Sequence, residues 1–209
     1  MSGTMSQADL VADLKSSLHD SASVFTAETD GDFKRMLDAS ALDLTRFRPR
    51  TLLGTLLLQA DQSEYAAPDD FVMYKSSLWG IAPIAAPRPW ERNYPGRLPD
   101  AFETEVGGAR MISLSVPPTA AQIATLGNQF LFYYFAAHAV DADAAKTTVK
   151  AADRSLLLLR AQAEAMRELA MRNIGKPVSV RDGMSGQPRN GTPSHLYSAL
   201  MEEYERRAA

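Results

Sequence analysis

The spacing of apolar residues changes period twice along the chain, and this limits the fold more than any single motif does. In Gln7 to Leu18, Leu10, Leu14 and Leu18 lie four apart with Val11 beside them, which makes one helical face. Ser6 can cap that helix, and Asp9 falls where a first-turn acid is favoured. A second helix fits Asp32 to Phe47 through Phe33, Leu37, Ser40, Leu44 and Phe47, with Thr29 and Asp30 as capping chemistry. Pro49 disfavours helix at Arg48 and should end it.

The middle of the chain has the period of strands. Thr51 to Leu58 is a short apolar run around Gly54, which reads as a buried strand, and Phe71 to Trp79 is rich in β-favouring residues. Tyr65 to Asp70 between them reads as a turn-like connection. Pro83, Pro87, Pro89, Pro95 and Pro99 then exclude a regular helix or a central strand, leaving an extended arm over residues 81–100. Phe102, Thr104 and Val106 alternate with Glu103 and Glu105. Ile112 and Leu114 alternate again after Gly107-Gly108, so the pattern predicts a hairpin. Phe130 to Phe135 is aromatic on both faces and suits a strand buried on two sides. One small sheet is expected over about 51–140, inserted between helices.

From Asp141 to Arg172, Ala145, Val149, Ala152, Leu156, Leu159, Ala163, Met166 and Ala170 step by threes and fours. The spacing predicts one helix about 48 Å long at 1.5 Å per residue, a spine or a surface for a neighbouring chain. Leu156 to Leu159 make one turn apolar all round, which calls for burial on more than one side. Arg160 with Glu164, and Glu168 with Arg172, are placed for i,i+4 ion pairs. Gly175 marks the stop. Gly175 to Pro193 reads as a flexible, slightly basic connector, and Pro193 to Arg207 as a short amphipathic helix carrying Leu196, Tyr197, Leu200, Met201 and Tyr204. A short tethered helix is rarely stable alone and must dock on its own domain or on a partner. The expected class is therefore α+β, with a helical bundle core, a long helix and an inserted antiparallel sheet. The expected division is a body over 1–174 and a C-terminal docking tail over 175–209.

Composition narrows the chemistry. Cysteine is absent, which removes disulfides, thiolate metal sites and a cysteine nucleophile. The formal charge of −3 argues against a strongly basic nucleic-acid binder. Residues 1–18 contain Asp9, Asp13 and Lys15 and no apolar block, so no secretory signal is expected. Phe130 to Val140 is too short to span a bilayer.

Candidate catalytic groups are sparse. Ser194 and His195 are adjacent on a helix, with Asp182 near in sequence, and neighbours on a helix do not face each other as nucleophile and base must. His138 reads as a satisfied core or rim histidine. Asp30 with Asp32, and Asp69 with Asp70, read as caps and turns, since no calcium-loop spacing is present. Glu103 and Glu105 share a strand face but read as a solvated hairpin surface. No phosphate loop and no dinucleotide fingerprint occur. No catalytic residue, metal or cofactor is assigned. Lys176, Arg181 and Arg189 read as part of a protein-docking segment rather than as DNA contacts. Trp79, Trp90 and Tyr94 around the proline-rich arm are interface anchors or pack on their own sheet.

The order of parts resembles a head-tail connector (adaptor) protein of tailed bacteriophages. The residues that carry the resemblance are Asp9-Leu10 to Leu14-Lys15, Phe33-Lys34-Arg35-Met36-Leu37, Leu52 to Leu58, Tyr65-Ala66-Ala67-Pro68-Asp69-Asp70-Phe71 and Phe132-Tyr133-Tyr134-Phe135-Ala136-Ala137-His138. The resemblance implies a structural, non-enzymatic part of the virion at the head-tail interface. It implies a homo-oligomeric ring, commonly of twelve subunits, that binds the portal protein and offers a platform to a tail-side neck or stopper protein. Double-stranded DNA would pass through the channel without sequence-specific contact, and no membrane would be involved. The docking role would fall on Gly175 to Arg207, with Leu196, Tyr197, Leu200 and Tyr204 as anchors and Arg181 and Arg189 at the rim. Another neck or tail completion protein, a small hydrolase with an unrecognised site, and a regulatory DNA-binding protein are the alternatives.

Overall fold

The computed structural model describes residues 4–25, 30–80, 88, 90–91, 94–173 and 192–209. Its class is α+β, as the periodicity predicts. The chain divides into two compact units, residues 1–48 with 138–209, and residues 49–137. The expected division placed a tail at 175–209 apart from the body. In the structure the terminal helix belongs to the first unit, and the β-rich insertion is the separate one.

In the first unit, α1 (Gln7–Leu18) starts where the Ser6 hydroxyl accepts the Asp9 N–H, and it buries Leu10, Val11, Leu14 and Leu18. A 3-10 turn, His19–Val24, follows. α2 (Gly31–Phe47) buries Phe33, Met36, Leu37, Ala41 and Leu44, and it stops just before Pro49. Asp30 precedes it with a left-handed backbone (φ 54°) and makes no side-chain cap. Its carboxylate instead meets Lys15 of α1 at 2.5 Å. Thr29 lies outside the described residues.

The long helix is shorter than its spacing predicts. Residues 141–150 form a loop, Ala151–Asp153 make a 3-10 turn, and α4 spans Arg154–Arg172. Its 19 residues give about 28 Å. The cause is local competition for the backbone. Asp141 accepts the Asp143 N–H at 2.8 Å, and Asp143 accepts the Ala145 N–H at 2.9 Å. The Thr147 and Thr148 hydroxyls accept the N–H groups of Asp141 and Ala139. Asp and Thr side chains that capture nearby amides offer an alternative to the helical ladder. The leucine turn of α4 is enclosed within its own unit, with Leu156 and Leu157 buried and Leu158 and Leu159 packed against the same core. α1, α2 and a final helix, α5 (Pro193–Ala208), all pack on α4.

The second unit holds two three-stranded antiparallel sheets rather than the single one expected. The first contains β1 (Arg50–Leu57), β3 (Phe71–Ser77) and β6 (Gln129–Ala136), in the order β1-β6-β3. The second contains β2 (Glu64–Ala66), β4 (Ala101–Val106) and β5 (Ala109–Leu114), in the order β2-β5-β4. Tyr65 and Ala66, expected in a turn, lie in β2 and pair with Ile112 and Met111. The Gly107-Gly108 hairpin forms as predicted, and both glycines take the positive φ of 61° and 83° that such a turn requires. A short helix, α3 (Ala120–Leu126), has no counterpart in the sequence reading. A reciprocal capping box between Thr119 and Gln122 starts it. The Gln122 amide also donates to the carbonyls of Pro95 and Arg97, which holds the second half of the proline-rich arm. Residues 81–87 of that arm lie outside the described residues.

β6 was expected to be buried on both faces. Only alternate residues are: Phe130, Phe132, Tyr134 and Ala136 point into the core, while Leu131, Tyr133 and Phe135 are half-buried. β1 behaves the same way, so it is not the wholly buried strand its apolar run suggests. Gly54 pairs directly with Phe132, and the ring occupies the space of the missing side chain. A Cβ at this position would sit 2.5 Å from Phe132 Cζ. The ring cannot swing away freely, because Tyr74 stacks on it and Phe130 and Tyr134 flank it. Gly54→Ala should therefore cost about 1–3 kcal/mol despite the better strand propensity of alanine. Urea denaturation checks this, and an unchanged midpoint would contradict the packing described.

Candidate interaction surfaces

α5 presents Tyr197, Leu200, Met201, Tyr204 and Ala208 at helical spacing, and this face lies on the first unit's core. Thr192 caps it, and Pro193 occupies the first turn, where a missing N–H costs nothing. At its other end the Arg48 guanidinium donates to the carbonyls of Ala208 at 3.2 Å and Arg207 at 2.8 Å, and it meets Asp153 at 2.5 Å. These are terminal carbonyls with no partner within the helix, at the negative end of its dipole. The helix is thus docked on its own unit at both ends.

This corrects the role expected of Tyr204. It is 0 % exposed, and its ring meets Phe47 edge-on with centroids 5.6 Å apart. It is a core residue, so it offers no free surface to a partner. Tyr197 and Leu200 are half-buried against the same core. Leu196 alone of the four anchors stays largely open, at 38 % exposure. It lies on the rim of a shallow depression of about 280 Å³ formed with Leu18, Met166 and Leu200. Arg181 and Arg189 lie outside the described residues, as does Asp182. An amphipathic stripe states that a helix needs a covering surface without stating whose surface that is. Here α4 supplies it.

On the proline-rich arm Trp90 is 76 % exposed, with the Arg88 guanidinium 5.4 Å from its ring centroid. Tyr94 is also exposed, and its N–H donates to the Glu91 carbonyl. Of the two readings open for the arm's aromatic residues, packing onto their own sheet is not what the structure shows for Trp90 and Tyr94, but it holds for Trp79, which is buried beside Phe130 and donates its indole N–H to the Gly127 carbonyl. Most of the exposed large apolar side chains among the described residues belong to the second unit: Leu53, Leu57, Met73, Phe102, Val106 and Val116 besides Trp90 and Tyr94. The alternation in β4 puts Phe102 and Val106 opposite the solvated glutamates, yet both are exposed, and the sequence reading marks none of the six as an interaction residue.

The remaining polar candidates have ordinary structural partners. His138 is buried, with Nε2 2.9 Å from the Arg48 carbonyl and Nδ1 facing the Thr148 hydroxyl, and its N–H donates to Thr45 Oγ1. Asp70 accepts the Tyr134 hydroxyl at 2.9 Å and lies 3.6 Å from Arg50. Asp32 meets Arg35 and Arg172. Glu103 and Glu105 line an open depression of about 320 Å³ beside Arg110. Ser194 and His195 are exposed on the first turn of α5. No group of three or more His, Asp or Glu side chains suited to a metal ion occurs among the described residues.

A buried charge cluster joins α2 to α4. Arg160 donates to Asp43 at 2.7 Å and to Glu164 at 3.1 Å, and Arg167 also reaches Glu164. Burial alone would weaken the Arg160 charge, but the two carboxylates reverse this and hold its pKa above the usual value. The Tyr204 hydroxyl is buried without a hydrogen-bond partner among the described residues. Burial pushes its pKa up to about 12, with the Asp43 carboxylate adding to the shift.

No protein-family model matches the chain, and no curated protein sequence matches it either.

The Tyr204 hydroxyl gives a test of α5 docking. At neutral pH, Tyr204→Phe should lie within about 1 kcal/mol of the wild type, because no bond is lost. The raised pKa means that the folded state holds the phenolic proton more tightly than the unfolded state. Stability should therefore be fully present below pH 10 and fall as pH rises from 10 towards 12, by up to about 2 kcal/mol from this group. Tyr134, also pushed up to about 12 by burial and its bond to Asp70, adds a parallel loss. Chemical denaturation between pH 8 and 11.5 should give a shallower alkaline decline for Tyr204→Phe. An identical decline would mean that α5 is not docked as described.

Proposed function

We propose that the protein is a structural head-tail connector of a tailed bacteriophage, working by assembly rather than catalysis. In this reading it forms a ring below the portal protein, extends the DNA channel, and presents a platform to a tail-side neck or stopper protein at the head-tail interface of the virion. The observation that carries the reading is the contrast between the two units. The helical unit closes its core around α4, whereas the β-rich unit exposes Trp90, Tyr94, Leu53, Leu57, Met73, Phe102 and Val106. Exposed apolar patches on soluble domains mark surfaces for other macromolecules. Trp and Tyr are the side chains that most often dominate such interfaces.

The resemblance in the order of elements supports the same conclusion. The formal charge of −3 suits a lumen through which DNA slides without adhering. The C-terminal docking role moves from the buried face of α5 to Leu196 and to Arg181 and Arg189 in the segment before the helix. Trp90 and Tyr94 serve contacts with neighbouring subunits or the tail-side partner. Many weak contacts made together give a strong ring from weakly binding subunits.

Mixing the purified chain with the portal protein of the same phage and imaging the product by electron microscopy tests this. A ring seated on the portal is expected. Arg181→Glu with Arg189→Glu should weaken portal binding about tenfold or more while the melting temperature stays unchanged. No complex with the portal, or a complex indifferent to those changes, would overturn the reading.

A further inference from the structure

Among the described strands, free edges are guarded, with one exception. A free edge presents a row of unpaired N–H and C=O groups, and proteins blunt it with bulges, charges, proline or shortness. β2 has only three residues. β4 carries Glu103 and Glu105. β3 is interrupted by two register shifts, between Phe71 and Met73 and between Tyr74 and Ser76. β1 has none of these devices. It runs for eight residues in unbroken register with β6, and from Thr51 to Leu57 it contains no charge and no proline. Among the described strands it pairs with β6 alone.

The direction of its free groups follows from the ladder. The Leu58 N–H donates to the Asn128 carbonyl at 2.8 Å, which places the even positions of β1 in the hydrogen-bonded pairs with β6. Antiparallel ladders alternate, so the N–H and C=O groups of Thr51, Leu53, Thr55 and Leu57 point away from β6. The side chains of these same residues are exposed, Leu53 to 53 % and Leu57 to 63 %. Backbone edge and apolar side chains are thus open together.

We propose that β1 is a self-association edge, pairing antiparallel with β1 of a second copy about a two-fold axis at Gly54. A partner strand should match β1 in length, straightness and lack of charge; among the described strands β6 does so but is already paired on both edges, which leaves another β1 as the strand with such an edge free. Centring on Gly54 sets Thr51 opposite Leu57 and Leu53 opposite Thr55, so every outward donor and acceptor of both strands is used. Gly54 meets Gly54 at the close, non-hydrogen-bonded position, where small residues fit best. The product is a continuous six-stranded sheet with a self-complementary interface. Both strands are already held by β6, so little ordering is lost on pairing. The proposal stands independently of the connector reading and concerns the free chain.

Sedimentation of the purified full chain over a wide concentration range should show a monomer-dimer equilibrium. Leu53→Lys places a charge on the edge. Thr55→Pro removes an outward N–H that β6 does not use. Each should weaken dimerisation about tenfold or more, with circular dichroism unchanged. The register has its own readout, because the chain contains no cysteine. A mixture of Leu53→Cys and Thr55→Cys chains should form disulfide-linked dimers faster than either variant alone. A chain that stays monomeric throughout, a dimer unaffected by Leu53→Lys, or crosslinking no faster in the mixture would each overturn the proposal.

Discussion

The enclosure of the α4 leucine turn is the constraint on which the helical unit depends. Four consecutive leucines leave no polar side on that turn, which calls for burial on more than one side; Leu156 and Leu157 are buried and Leu158 and Leu159 partly so. α1 and α2 provide two walls, and α5 adds another by returning from the far end of the chain. That requirement explains why α5 is docked and why its most buried side chain is Tyr204, whose hydroxyl goes unpaired. The loss at one hydroxyl is small beside the burial of an aromatic ring and the apolar face around it. Arg48 completes the arrangement. It ends α2, accepts the turn before Pro49, and reaches the last carbonyls of α5.

Much of this was legible in the sequence wherever one local signal acted alone. The Ser6 cap and the four-residue leucine spacing located α1, and Gly107-Gly108 located the β4-β5 hairpin. The readings that failed involve competition or distant partners. Ala145, Val149 and Ala152 keep helical spacing by coincidence, while Asp141, Asp143 and the paired threonines bind the backbone in another way. The split into two sheets depends on β6 pairing with both β1 and β3, a choice that no local pattern encodes. Phe130 to Phe135 is aromatic or aliphatic at every position, so its pattern held no information about which face was inner.

The candidate interaction residues divide along the same line. Trp90 and Tyr94 were legible because large aromatic residues in a proline-rich stretch have few neighbours to pack on. Tyr204 was misassigned because an amphipathic stripe is identical whether the covering surface is internal or foreign. Leu53 and Leu57 were hidden within a run that reads as core. Only the register with β6 separates them from Leu52 and Leu56, which point inward.

In the proposed assembly the contacts therefore fall to the β-rich unit more than to the terminal helix. A helix whose apolar face is already covered gains little from a partner, since the burial it could offer is spent within its own unit. A strand edge is different. Its side chains are half-buried in a finished fold while its backbone groups remain solvated, so a second strand can be added without undoing a core contact. Gly54 serves both demands at once. Its missing side chain admits Phe132 on the inner face and leaves the strand narrow where a neighbouring backbone would approach. The same residue can thus complete the core of one subunit and permit the closest approach of another.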